Sequence, residues 1–221
     1  MSFRSKLALA LVSTVFAGSA FAAPIVLNFE GIGNGAQILD FYNGGTDSQG
    51  HSGVNYGISF GPNALGLIDA DAGGSGNIAN EPSPSTVMYF SSGSAILNNA
   101  AGFDTGFSFF YTSATTAVVN VYSGLNATGT LLGSINLVAQ YNSNCSGDPT
   151  GAFCNFSPAG LAFAGVAHSI DFGGTVNQIA FDDITFGSAT PGGDVPEPGT
   201  LALFGLGLFG TAAARRRSSK R

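Results

Sequence analysis

Between Leu7 and Ala214 the sequence contains neither lysine nor arginine. A body without cations cannot neutralise phosphates, which excludes DNA, RNA and nucleotides and sets it against anionic lipid headgroups. Schiff-base chemistry and guanidinium clamps are excluded with them. Tryptophan is absent from the whole chain, so the side chain best suited to stacking on a sugar ring is missing. Histidine occurs twice, at His51 and His168, and cysteine twice, at Cys145 and Cys154. His168 precedes Ser169, but neighbours in a strand face opposite ways, so the pair is not a hydrolytic triad. His51 lies in a loop rich in Gly, Asn and Ser. Carboxylates for glycoside cleavage are plentiful, yet their separation is a spatial property that the sequence does not give. No catalytic residue is assigned, and the body reads as non-enzymatic.

What is present is glycine, phenylalanine and acid. The 221 residues include 33 Gly and 19 Phe, while only 9% are charged against about 25% in an ordinary soluble domain. Twelve of the 13 acids fall between Glu30 and Asp194, so removal of both ends turns a net charge of −6 into −12. Molecules whose charges all have one sign repel one another at neutral pH.

The basic residues sit at the two ends, beside apolar runs. Arg4 and Lys6 precede the run from Leu7 to Ala17, followed by small residues at Ala20, Ala22 and Ala23. This is the pattern of a secretory signal over residues 1–22, read by the export translocon and cut by signal peptidase after Ala22. At the other end Val195-Pro196-Glu197-Pro198 closes a linker over 191–200. A glycine-rich apolar stretch over 201–214 and a basic tail over 215–221, with Arg215, Arg216 and Arg217, follow it. As a helix, 201–214 spans about 21 Å, short of a hydrocarbon core of about 30 Å. The basic cluster keeps the tail cytoplasmic and the body outside while the helix holds the membrane.

These three parts, in this order, resemble the PEP-CTERM sorting signal of Gram-negative, exopolysaccharide-producing bacteria. The resemblance implies an exosortase as partner, removal of the tail near the Pro-Glu-Pro motif, and delivery to the cell surface or extracellular matrix. The same tail type is also labelled an ice-binding protein C-terminal domain; that label describes an address. The expected role is structural or adhesive within an exopolysaccharide or biofilm layer, with extracellular polysaccharide as a partner. A calcium-supported carbohydrate-binding module is the alternative, and a secreted hydrolase the third.

The body, residues 23–190, shows almost no helical period. Short apolar or alternating segments recur between turn residues: 25–29, 37–42, 56–60, 64–68, 86–90, 95–97, 107–112, 117–122, 131–137, 168–172 and 178–186. The spacing predicts an all-β fold, a single jelly-roll-like β-sandwich flanked by the signal helix and the sorting helix. An immunoglobulin-like sandwich and a β-solenoid remain alternatives, the latter disfavoured by the lack of a fixed repeat.

An exported chain with two cysteines is expected to join Cys145 to Cys154. Calcium takes oxygen ligands, which an acidic exported body offers freely. Asp69-Ala-Asp71-Ala-Gly73-Gly74 begins like a calcium loop, but Gly73 and Asn80 replace expected ligands and flanking helices are missing, so a solvated turn is preferred there. Paired acids in the apolar segment around Asp182 and Asp183 ask for a reason, because one of two adjacent side chains must turn inward. By analogy with jelly-roll modules that hold calcium between first and last strands, Glu30, Asp182 and Asp183 are the expected structural calcium ligands. A bulge or edge strand with both acids in water is the alternative.

Overall fold

Aromatic and β-branched residues alternate with polar ones through most of the Gly-bounded segments, and the chain pairs these segments into sheets. The computed structural model describes residues 24–143 and 145–192. The signal residues Ala20, Ala22 and Ala23, the Val195–Pro198 motif, the apolar stretch 201–214 and Arg215–Arg217 lie outside the described residues.

The strands are β1 (Ile25–Leu27), β2 (Ile58–Phe60), β3 (Ala64–Ile68), β4 (Thr86–Phe90), β5 (Ala95–Phe103) and β6 (Gly106–Ser113). They continue with β7 (Ala117–Tyr122), β8 (Leu131–Leu137), β9 (Ser157–Ala162), β10 (Ala167–Phe172) and β11 (Ile179–Phe186). One sheet runs β3-β4-β11-β6-β9 with β1 also on β11, and the other runs β2-β5-β10-β7-β8. Four antiparallel pairs are nested: β4 with β11, β5 with β10, β6 with β9, and β7 with β8. Successive pairs alternate between the two sheets, as happens when one long double strand is rolled up. That nesting is a jelly roll, and the chain is a jelly-roll-like β-sandwich.

Phenylalanine does the work that tryptophan often shares. Phe109 of β6 and Phe181 of β11 meet Phe172 of β10 across the sandwich, with ring centroids 5.8 and 4.9 Å apart and planes at 67° and 65°. Edge-on contacts of this kind suit the ring quadrupole. Phe29, Phe90 and Phe107 are also fully buried.

Two segments depart from the sequence reading. Residues 37–42 form turns, with a single bridge from Gln37 to Leu65. Ile38, Phe41 and Tyr42 are nonetheless buried: an apolar run can enter a core as a loop when its backbone finds partners, here Ala64 and Tyr56 among others. Conversely β9, Ser-Pro-Ala-Gly-Leu-Ala, carries no alternation of apolar type. It pairs only with β6 at the end of its sheet, an edge position that tolerates Pro158 because the outer side of the strand has no ladder to break.

Candidate functional site

Two long connections meet beside β3. The first, between β3 and β4, opens with Asp69, whose N–H is held by the Ser85 carbonyl at 2.9 Å. The N–H groups of Ser75 and Gly76 return to the Ile68 carbonyl at 3.1 and 2.8 Å, and that of Gly74 to Asp69 at 2.8 Å. A side chain at Gly74 would collide with the Ile68 carbonyl, so this closure requires glycine.

The second connection, between β8 and β9, is clipped by the Cys145–Cys154 disulfide, whose Cα atoms are 5.4 Å apart. It docks on the first through Ala152 and Phe153 N–H groups to the Asn77 carbonyl at 2.8 and 3.0 Å, answered by Ala79 N–H to Phe153 at 3.1 Å. Ile78, Val87, Phe153 and Ala180 form a small apolar cluster beneath the contact. The docking delivers Asp148. Its carboxylate accepts from the Thr150 hydroxyl at 2.8 Å and from the N–H groups of Thr150 and Gly151 at 2.9 Å each.

Carboxylate oxygens of Asp69, Asp71 and Asp148 then lie within 4.8 Å of one another. They line an open cleft of about 340 Å³ together with Glu81 and Asn80. Asp69 is 9% exposed, and its Oδ1, like Oε2 of Glu81, is buried with no hydrogen-bond partner. Burial raises the Asp69 carboxyl above the usual range, and the charges of Asp148 and Asp71 add to the effect. Glu81 is raised by burial first and then by Asp69 and Asp148. Asp148 is lowered, chiefly by the Thr150 hydroxyl.

Glu30, Asp182 and Asp183, the expected calcium ligands, do not form such a group. In β11 the register to β6 shifts between Asp182 and Thr185, and Asp183 takes a left-handed φ of 47°. The bulge falls where β11 exchanges β4 for β1 along the same side. Asp182 is fully buried and accepts from Ser83 N–H at 2.9 Å, from Ser83 Oγ 2.8 Å from both oxygens, and from Asp183 N–H at 2.7 Å. Glu30 accepts from the N–H groups of Ser85 and Thr86 at 3.0 and 2.8 Å. These carboxylates join β1, β4 and β11 by answering backbone donors. Burial pushes Asp182 up to about 7, with the Asp183 charge adding and the Ser83 donors opposing. Asp183 is raised by burial and by the charge of Glu30.

His51 and His168 are far apart in role. His51 Nδ1 lies 2.9 Å from Asp47 Oδ2, while Asp47 also accepts from the N–H groups of Gly33, Gln49 and His51. Asp47 therefore closes a loop. Nδ1 of His168 is buried without a partner.

Residues 194–217 match the family model described as the PEP-CTERM protein-sorting motif. The chain carries a PEP-CTERM sorting signal. That match takes in Val195–Pro198 and Arg215–Arg217, and it marks the protein as exported across the membrane of a Gram-negative bacterium. No curated protein matches the chain significantly. Among solved structures, CsCBM6-3 from Clostridium stercorarium in complex with cellobiose is 17% identical over 58% of this chain and 85% of its own, with a TM-score of 0.37. A family 43 arabinoxylan arabinofuranohydrolase from Bacillus subtilis, in complex with cellotetraose, is 17% identical over 64% of this chain and 30% of its own, TM-score 0.38. The catalytic domain of a GH87 alpha-1,3-glucanase in complex with nigerose is 14% identical over 76% and 31%, TM-score 0.40. At these scores the likeness is one of partial shape, and the ligands of those proteins do not transfer.

Proposed function

We propose that the mature protein is a non-enzymatic component of the bacterial surface or extracellular matrix, with a structural or adhesive role in an exopolysaccharide layer, and that an exosortase removes its tail. The sorting motif at 194–217 carries this reading. The body supports it: its charges are of one sign, with no Lys or Arg from Leu7 to Ala214, and a disulfide fastens a long loop. Such a body stays dispersed during export and withstands an oxidising exterior.

Intact-mass measurement of protein released from the producing cells tests the processing step. A mass ending near Val195–Pro198 is expected; retention of the Arg215–Arg221 tail in an inner-membrane fraction overturns it. Deletion of the gene should weaken cohesion of the surface layer, and unchanged cohesion would remove the structural role. Selective binding on a glycan array by the mature protein would replace that role with carbohydrate recognition, and turnover in a hydrolase screen would replace both.

A further inference from the structure

The cleft beside β3 gathers negative charge that the protein itself cannot answer. Asp69, Asp71, Asp148 and Glu81 line one opening, and the chain has no Lys or Arg from Leu7 to Ala214. At Asp182 and Asp47 buried carboxylate oxygens find donors, whereas Oδ1 of Asp171 on β10 finds none but belongs to no cluster of three acids among the described residues. Here Oδ1 of Asp69, a residue 9% exposed, and Oε2 of Glu81 find none, and both stand in the same cleft as two further carboxylates. A buried, unpartnered carboxylate oxygen is destabilising unless a donor, a proton or an ion answers it.

We propose that Asp69, Asp71 and Asp148 hold a single Ca²⁺, and that the disulfide-clipped β8–β9 connection completes the site by supplying Asp148. Oxygens on opposite sides of one calcium ion are about 5 Å apart, given Ca–O distances of about 2.3–2.6 Å. The three carboxylates fall inside that span at 4.8 Å. The donor set is oxygen only, which favours a hard cation over zinc or copper. The open cleft leaves room for the water ligands that calcium accepts and for Glu81, directly or through one of them. Asp148 is held for this task by Thr150, whose hydroxyl also lies 3.4 Å from Asp71. The ion would thus tie the β3–β4 connection to the disulfide loop. This site is independent of the surface role proposed above, and its test does not depend on sorting or on glycans.

The test is calorimetric titration and thermal unfolding of the full chain in detergent, with CaCl₂, MgCl₂ or EDTA. One-site calcium binding is expected, with Tm rising by about 5–10 °C at a hundredfold excess over Kd. Asp71→Asn and Asp148→Asn should each weaken binding at least tenfold. Asp40→Asn, which removes one exposed charge elsewhere, should leave it unchanged. Asp71 is exposed, so its variant remains informative if Asp148→Asn fails to fold. Absence of binding, a response retained in both cleft variants, equal weakening in Asp40→Asn, or an equal effect of magnesium would each overturn the site.

Discussion

Replacing Asp182 by asparagine isolates the energetic cost of a carboxylate at the seam of the sandwich. Burial pushes its pKa from 3.8 to about 7, so the folded protein holds a proton that the unfolded chain has released. The sign follows: stability from the protonated acid is fully present below pH 3.8 and is lost as pH rises through about 7. A difference of about three units at 1.36 kcal/mol each makes the whole loss about 4 kcal/mol. Between pH 5 and pH 8.5, where the two titrations overlap least, roughly 2.5–3 kcal/mol of it should appear.

Asparagine does not titrate, so the variant lacks this slope. It carries a fixed cost instead, because one of its two polar atoms is a donor set against the N–H groups of Ser83 or Asp183. That cost is about 1–3 kcal/mol and nearly independent of pH. Asp69 and Glu81 are present in both proteins and to first order cancel in the difference, while the coupling of Asp182 to the adjacent Asp183 is part of the slope being measured. Urea unfolding of the mature protein and its variant across pH 5–8.5, in EDTA, should therefore show the wild type losing about 3 kcal/mol relative to Asp182→Asn. Equal m-values would confirm that the same surface is exposed in each. A difference flat within about 0.5 kcal/mol over that range would refute the assignment of Asp182 as a buried acid that titrates near neutrality.

Other consequences are simpler to state. Asp47 behaves oppositely: although burial opposes ionisation, the donors from Gly33, His51 and Gln49 hold it at about 2. Asp47→Asn should cost about 2 kcal/mol at pH 7, and the gap should close as pH falls from 3.8 through about 2, which acid unfolding measures. Replacing Cys145 and Cys154 together by serine opens a ten-residue ring and should lower stability by about 2–3 kcal/mol. The same change should weaken calcium binding, because Asp148 loses its constraint; an unaltered calorimetric Kd would separate loop from site. Phe109→Ala, removing a ring in contact with Phe107, Tyr111, Phe172 and Phe181, should cost about 3–5 kcal/mol by denaturant unfolding. A loss under 1 kcal/mol would mean that the core closes over the gap.

The fold class was legible because strand burial writes a period of two into the residues themselves. Phe107-Ser-Phe-Phe-Tyr and Val119-Asn-Val-Tyr announce strands before any pairing is known. The nesting of β4 with β11 and β5 with β10 was not legible, since partners so distant in sequence leave no local mark. Pro158 and Gly160 hid β9 for a related reason: an edge strand needs only one neighbour, so its composition is free to look like a loop. The apolar segment 37–42 misled in the other direction, because hydrophobic burial constrains side chains and leaves the backbone a choice.

The acids separate more sharply. Asp182 and Asp183 attract notice because charge interrupts an apolar strand, and the structure answers that interruption locally, with a bulge and the donors of Ser83. Asp69 and Asp71 attract less notice, since a Gly-rich loop is an ordinary place for acids in water. What changes their meaning is Asp148, brought from a separate loop by a disulfide and the strand-like contact between Ile78 and Phe153. The sequence offered half of that site in its alternate oxygens and Gly74, and the cysteines marked the other half without saying where it would dock. A carboxylate that backbone donors satisfy is part of the frame, whereas at Asp69 a buried oxygen without a donor stands beside two further carboxylates, an arrangement that a cation from solution would complete.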